Sequence, residues 1–299
     1  MPPPAPPQPN TEALHERVLD WYADHARDLP WRRPDCSPWG VFVSEVMAQQ
    51  TPLSRVEPAW VSWMDRWPTP AGLAADSPGE AVRAWGRLGY PRRALRRHEA
   101  ATVMVQRFDG EVPHLEDDLL TLPGVGAYTA AAVAAFAFGS RAVVLDTNVR
   151  RVQARVITGR EYPAPSLTRV EQAVAADLLP DGDDEAATWN VAVMELGALI
   201  CTARSPKCEP CPVLDLCRWV ADGRPAHSGP PRRGQAWVGT DRQVRGEILQ
   251  RLRDSPGPVA ASALRNCGPD SAQVERALAA LIQDGLVEPA GGETFALPA

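Results

Sequence analysis

From Thr11, a residue with N-cap chemistry, Leu14, Val18, Leu19 and Tyr22 recur at helical spacing and predict a first helix. Between Trp39 and about Phe108 the same period continues: Val41, Val43, Val46 and Met47 form one apolar stripe, residues 56–63 another, and further stripes run from Ala81 to Val105. No strand-like alternation of useful length interrupts them. Residues 127–138 predict an alanine-rich helix, and 166–178 and 187–200 two more, the last running into a window of cysteines. Beyond residue 240 the pattern predicts helices at 241–253, 258–265 and 271–284. Two short apolar segments then flank Gly291-Gly292, as in a hairpin. The body of the chain therefore reads as all-α, with a small winged-helix-like module at its end.

A chain of 299 residues is long enough for about two domains and a full hydrophobic core. Residues 1–10 are proline-rich and predict a disordered tail. The Gly/Pro-rich polar stretch at 223–235 predicts a linker, bounded at 221–237, ahead of the module at 238–299. With 44% hydrophobic and 23% charged residues the composition is that of an ordinary globular protein. The longest apolar run, Ala130 to Phe138, falls far short of the roughly 20 residues that span a bilayer, so no membrane partner is expected. The first residues lack the basic and apolar regions of a secretory signal, and a cytoplasmic location is expected.

A net charge of −6 by itself speaks against a polyanionic partner, because phosphate binding needs cations. The distribution changes that picture. Residues 83–97 contain Arg83, Arg87, Arg92, Arg93, Arg96 and Arg97 with no acid, and Arg141, Arg150, Arg151, Arg155 and Arg160 surround a single Asp. Such runs are commonly solvated helix faces, so they permit DNA binding without establishing it. Lys207 is the only lysine, so a Schiff-base mechanism would have one candidate.

Two motifs carry chemistry on their residue types alone. Leu122-Pro123-Gly124-Val125-Gly126 precedes the alanine-rich helix. Its glycines permit a tight hairpin that presents amides to an anion such as a DNA phosphate; a plain turn between helices is the alternative. Cys201, Cys208, Cys211 and Cys217 have the spacing C-x6-C-x2-C-x5-C. That window is compact enough for one centre to take four thiolates, as a 4Fe-4S cluster does, whereas structural zinc more often pairs two C-x2-C knuckles across a longer loop. Arg204 and Lys207 lie in the loop between the first two cysteines, where they could meet phosphate.

Read in order, SEVMAQQT at 44–51, LPGVG at 122–126, VLDTNVRRV at 144–152 and the four cysteines resemble the MutY-type adenine DNA glycosylases of the endonuclease III superfamily. The likeness runs from about residue 11 to about residue 220. It implies a helix-hairpin-helix glycosylase fold in which a six-helix unit, 29–139, faces a cluster unit built from 11–28 and 140–220. The four cysteines would hold a 4Fe-4S cluster, and DNA would run across an arginine-lined face. The implied reaction is removal of adenine mispaired with 8-oxoguanine or guanine in double-stranded DNA, by a monomer.

The resemblance places Glu45 as the acid that protonates the departing adenine, a role that a desolvating apolar helix would favour. Asp146 would stabilise the oxocarbenium-like sugar, and Asn148 would help to position water and sugar, following the two-carboxylate logic of glycosidases. Asp146 also reads as a plain helix N-cap, and both roles are compatible. Tyr128 stands where bifunctional relatives carry their Schiff-base lysine, which implies base release without efficient strand cleavage; packing of the hairpin is its simpler reading.

Opening of the duplex is assigned, by resemblance, to Gln50 and Tyr90 as the wedge, with Gln49 beside them and Thr51 and Leu88 meeting the opposite base. Pro91 replaces a second aromatic that many relatives carry after the first. Leu29, Trp31 and Arg32 match the segment that lines the adenine pocket, and Glu195 the residue that reads the adenine edge. No Nudix-like domain follows the cluster, as in a short, actinobacterial-like form of the family. A thymine or uracil mismatch glycosylase of the same fold and a non-catalytic iron-sulfur DNA-binding or redox-sensing protein are the rival readings.

Overall fold

The computed structural model describes residues 10–229 and 238–299. Its helices are α1 (Thr11–His25), α2 (Pro38–Met47), α3 (Leu53–Arg66), α4 (Pro70–Ala74), α5 (Pro78–Trp85), α6 (Arg92–Arg107), α7 (Glu116–Leu120) and α8 (Ala127–Phe138). They continue with α9 (Thr147–Val156), α10 (Arg169–Asp177), α11 (Asp183–Leu199), α12 (Arg218–Ala221), α13 (Asp241–Arg253), α14 (Ala261–Leu264) and α15 (Ser271–Gln283). Three short strands, β1 (Val259–Ala260), β2 (Glu288–Pro289) and β3 (Thr294–Ala296), complete the chain. No helix among the described residues is long and apolar enough to cross a membrane. The disordered tail expected at 1–10 lies outside the described residues except for Asn10, as does the part of the expected linker beyond Gly229.

Two compact units result. One comprises Met1–Asp35, His114–Glu116 and Gly126–Pro230; the other comprises Cys36–Pro113, Asp117–Val125 and Pro231–Ala299. This division differs from the expected boundaries at 29–139 and 140–220. The alanine-rich α8 packs on α11 and so groups with the cluster-bearing residues. The terminal module groups with α2–α6 instead of standing alone.

In the first unit α1 and α9 pack on α11 around Leu14, Val18, Trp21, Val152, Trp189 and Leu196. The caps explain the boundaries. Asn10, and not Thr11, accepts the Ala13 amide at the start of α1, so that helix begins one residue after its true cap. Thr168 and Glu171 form a reciprocal capping box on α10. Gly139, in the left-handed conformation at φ +68°, ends α8.

In the second unit α4 and α5 pack on α6, and α2 on α3. Phe42, Met47, Leu73 and Met104 are completely buried, each contributing on the order of 1.5–3 kcal/mol of apolar burial. Trp63 meets Trp67 and Trp85 edge-on, with ring centroids 4.7 and 5.8 Å apart. The terminal module pairs α13 with α15 and closes with an antiparallel sheet of order β1-β3-β2, in which Phe295 lies opposite both Val259 and Pro289. The helix expected at 258–265 therefore begins with a strand.

The module is fastened to the helices before it. The Arg83 guanidinium donates to the carbonyls of Leu252, Arg253 and Ser255, at and just beyond the C-terminus of α13. A cation there complements the helix dipole. Arg253 returns a bond to the Val82 carbonyl at 2.9 Å, and the Gly79 amide donates to the Pro298 carbonyl at 2.8 Å. Arg92 of α6 and Arg245 of α13 both pair with Asp284.

The arginine-lined face implied by the sequence is only partly realised. Arg151 and Arg155 are buried inside the first unit, and Arg97 inside the second. Arg97 lies over the Phe42 ring at 4.3 Å with Nε and Nη1 unpartnered, and burial pushes it down to about 9. Arg87, Arg92, Arg96, Arg141 and Arg160 are the exposed remainder of the two runs.

Candidate active site and cluster site

The first unit carries Asp146, Asn148, Glu195 and the cysteines. Asp146 is the N-cap of α9: its Oδ1 accepts the Val149 amide at 2.6 Å and its Oδ2 accepts Asn148 Nδ2 at 2.6 Å. Burial raises its carboxyl above the ordinary aspartate value, against the pull of these bonds and of the Arg151 charge. Asn148 in turn accepts from Arg151 Nη2 at 2.7 Å. The same guanidinium donates to the carbonyls of Gly197 and Cys201, at 2.6 and 2.7 Å. Gly197 allows α11 to come this close, since a Cβ there would stand 2.7 Å from the Asn148 Cβ. One buried arginine thus connects the Asp146 cap to the cysteine loop.

Glu195 on α11 is wholly buried. Its Oε1 accepts the Arg27 amide and Nε at 3.1 and 2.6 Å, and its Oε2 accepts Arg27 Nη2 and Arg32 Nη2 at 2.8 and 3.0 Å. These four donors fill the roughly four lone-pair positions of a carboxylate. Burial acts to raise this carboxyl, and the Arg27 bonds and Arg32 charge outweigh it, so the group lies below the ordinary glutamate value. The other Arg32 donor, Nη1, is buried without a partner. The resemblance assigns the adenine edge to Glu195 and is silent on Arg27, whose three bonds occupy most of that carboxylate. Arg32 is thus held through Nη2 by Glu195 while its Nη1 has no partner. Leu29 and Trp31 are buried beside them in the chain.

Cys201, Cys208, Cys211 and Cys217 line one cavity, together with Arg155 and Trp219. Four thiol side chains on one cavity match the donor set of a polynuclear centre. Arg155 is buried, donates to Cys201 Sγ at 3.3 Å and to the Thr202 carbonyl at 2.7 Å, and lies 4.9 Å from the Trp219 ring. Burial, with the neighbouring cysteines, pushes the Cys211 thiol up to about 12, so a thiolate at that position requires a cationic centre. The donor set fits an iron-sulfur cluster. Arg204 and Lys207 are exposed in the loop between Cys201 and Cys208.

Glu45 and the residues expected to form the wedge, Gln50 and Tyr90, belong to the second unit. Glu45 lies near the end of α2, whose start is set by Pro38 and by Ser37 accepting the Gly40 amide at 3.2 Å, and it is 8% exposed among Val41–Met47. Gln50 and Tyr90 are brought together: the Tyr90 hydroxyl donates to Gln50 Oε1 at 2.6 Å. Both have left-handed backbones, φ +54° and +48°, a conformation that costs non-glycine residues and is kept where the surroundings impose it. Arg93 imposes it, donating to the carbonyls of Val46, Gln49 and Gly89 at 2.7, 2.7 and 3.1 Å. Burial lowers Arg93 to about 10.

Thr51 and Leu88 are buried, unlike the exposed Gln50 and Tyr90. The Thr51 hydroxyl donates to the Leu88 and Gln49 carbonyls, both at 3.2 Å, so in this arrangement it joins the two loops. In the hairpin the Val125 amide closes the turn on the Leu122 carbonyl at 3.1 Å. Gly124, at φ +75°, is required twice over, because a Cβ would stand 2.7 Å from Arg96 Cδ. Gly126 caps α8 and Tyr128 stands half-buried in its first turn.

Comparison with known proteins agrees with these features. Residues 43–174 match the HhH-GPD superfamily of base excision DNA repair proteins, and residues 201–217 the iron-sulfur binding domain of endonuclease III. Adenine DNA glycosylases of Mycolicibacterium smegmatis and Mycobacterium tuberculosis are 54% and 52% identical, each over 94% of this chain and 94% and 92% of their own. Among solved structures, a thermostable thymine-DNA glycosylase is 28% identical with a TM-score of 0.63, covering 71% of this chain and 97% of its own. A non-covalent endonuclease III–DNA complex, 24% identical with a TM-score of 0.60 over 71% of this chain and 95% of its own, shares the fold. With its cluster motif and helix-hairpin-helix body, the chain belongs to the adenine DNA glycosylase family of base excision repair enzymes.

Proposed function

We infer that this protein is a monofunctional glycosylase, acting as a monomer in the bacterial cytoplasm, that hydrolyses the N-glycosidic bond of adenine mispaired with 8-oxoguanine or guanine in double-stranded DNA. The observation that supports it most is 54% identity to an adenine DNA glycosylase across nearly the whole of both chains. Glu45, desolvated on α2, protonates adenine as the bond breaks, so that the base leaves neutral. Asp146, held by Val149 and Asn148, meets the developing positive charge on the sugar and guides the water that adds to it. Asn148 positions that water and sugar.

Gln50 and Tyr90 enter the duplex as adenine flips out, with Gln49 alongside and Thr51 and Leu88 holding the loops that carry them. In the pocket, Leu29 and Trp31 enclose the base. Arg32 donates to its edge through the unpartnered Nη1, oriented by Glu195. Phosphates are bound by Gly124, Val125, Gly126, Arg204 and Lys207. Tyr128 in place of a lysine leaves no amine at that position for a Schiff base, so the strand stays intact. Cys201, Cys208, Cys211 and Cys217 hold the 4Fe-4S cluster, which supplies a rigid cross-link for the 201–217 loop.

The test is single-turnover base release by cluster-loaded protein from duplexes holding adenine opposite 8-oxoguanine, adenine opposite guanine, or thymine opposite guanine. Adenine should be released, and Glu45→Gln or Asp146→Asn should slow release by about 10²–10⁴-fold. Because burial raises Asp146 and its ionised form is the useful one, the rate should climb with pH through a limb above the ordinary aspartate value of about 3.9. Release of thymine alone would replace this reading with the mismatch glycosylase, and no release at all with a binding protein.

A further inference from the structure

Of the arginines in the dense stretch at 83–97, all but one are committed within the protein. Arg83 donates to the carbonyls of Leu252, Arg253 and Ser255. Arg87 donates to Gln250 Oε1 at 3.3 Å, and Arg92 pairs with Asp284 at 3.2 Å. Arg93 holds the carbonyls of Val46, Gln49 and Gly89, and Arg97 is buried over the Phe42 ring. Arg96 differs: it is exposed, and its guanidinium makes no hydrogen bond or ion pair among the described residues. Its stem nevertheless has a defined seat on the hairpin. A Cβ at Gly124 would stand 2.7 Å from Arg96 Cδ, 2.9 Å from its Cβ and 3.3 Å from its Cγ. The methylenes therefore lie across the bare face of the turn that the Val125 amide closes on the Leu122 carbonyl at 3.1 Å. A long cationic side chain that lays its stem on a surface keeps its head in water.

We propose that Arg96 is a DNA-phosphate-binding residue, seated on the 122–126 hairpin and supplying the positive charge that the hairpin lacks. The proposal rests on the phosphate role given to that hairpin above. Leu122-Pro123-Gly124-Val125-Gly126 contains no ionisable side chain, so its amides can orient a phosphate but neutralise none of its charge. Release of condensed counterions, which drives association with DNA, needs a full cation. A guanidinium with no internal partner keeps its N–H donors for that purpose, and its planar fork matches two phosphate oxygens. Glycine at 124 is what lets stem and turn meet: any side chain there would displace the stem, and the head with it. Arg83, Arg87, Arg92 and Arg93 could do the same only by giving up the bonds they already make.

The test is equilibrium binding of the cluster-loaded full chain across a salt series, alongside single-turnover release. Two duplexes serve as probes, one with a single adenine opposite 8-oxoguanine and one fully paired. Arg96→Gln, which keeps most of the stem and removes the charge, should weaken binding to both about 10-fold at about 0.1 M salt and lower the log–log salt slope by about one. Arg96→Lys, which keeps the charge, should keep the slope. Arg107→Gln, at an exposed position at the far end of α6, should change neither. Wild-type affinity and slope in Arg96→Gln would overturn the proposal. So would weaker binding with an unchanged slope and a lower melting temperature, the mark of a stem that merely props the hairpin. Failure of the wild type to release adenine would sink the functional reading, while an Arg96-dependent salt slope in that same protein would still support the phosphate contact.

Discussion

The two units use arginine in contrasting ways. In the cluster-bearing unit Arg27, Arg151 and Arg155 point into the protein, and every bond described for them ends on a carboxylate, an amide oxygen, a backbone carbonyl or a sulfur. In the other unit Arg93 is likewise internal, but Arg242 lies on an exposed aromatic ring. The contrast teaches that a guanidinium is a fastener wherever several carbonyls converge on it, and that the same residue type can instead rest on the face of an exposed ring. Net charge and arginine density in the sequence cannot separate the two uses, because both place the same letter in the same kind of helix.

The largest expected effect tests the internal use. Arg155→Leu strands the carbonyls of Glu161, Thr202 and Ala203 and removes the donor to Cys201 Sγ. Since a charge-assisted bond is worth about 1.5–3 kcal/mol, the loss should reach at least about 3 kcal/mol. Thermal unfolding and the iron content of the purified protein should both fall. Arg204→Ala, at an exposed position in the cluster loop, should leave both unchanged and weaken DNA binding. Equal melting temperatures for the two variants would break the comparison.

Glu195→Gln comes next. It deprives Arg27 and Arg32 of their shared anion, and because Arg27 is about a third exposed the expected cost is moderated to about 2 kcal/mol at pH 7. The Glu195 carboxyl is lowered in the folded state, so its contribution is complete above the ordinary glutamate value of about 4.3 and disappears as pH falls through its lowered value. Denaturant midpoints of wild type and variant should therefore differ at neutral pH and converge in acid. A constant gap would show that the charge is not what holds the two arginines.

The smallest effect is expected at Gln50. Gln50→Gly relieves a left-handed backbone worth about 1–2 kcal/mol and loses the Tyr90 bond worth about 1 kcal/mol, so stability should change by less than about 1 kcal/mol in calorimetry. Discrimination between adenine opposite 8-oxoguanine and adenine opposite cytosine should nevertheless fall. A large stability loss would mean that Gln50 is a structural residue.

Much of this was readable beforehand where the signal is local. The alanine-rich helix at 127–138 and the helix at 241–253 match their predicted bounds, the hairpin turns at Gly291-Gly292, and Asp146 is the N-cap its neighbours suggest. The features that were missed depend on residues distant in sequence. The two-residue β1 has no period to detect and exists because Phe295 pairs with Val259. Arg27 acquires its role only when α11 presents Glu195 to it. Thr51 and Leu88 look available as letters, yet lie inside because Arg93 and the two loops close over them.

Gly79 ties the end of the chain to an early helix. Its amide holds the Pro298 carbonyl, and a Cβ at that position would collide with the same oxygen. Even a methyl group would push the final residues away, and with them the sheet that braces the module carrying Arg242. A tag fused after Ala299 begins beside this contact. Assays of opposite-base selectivity therefore call for variants that leave the Gly79–Pro298 contact untouched.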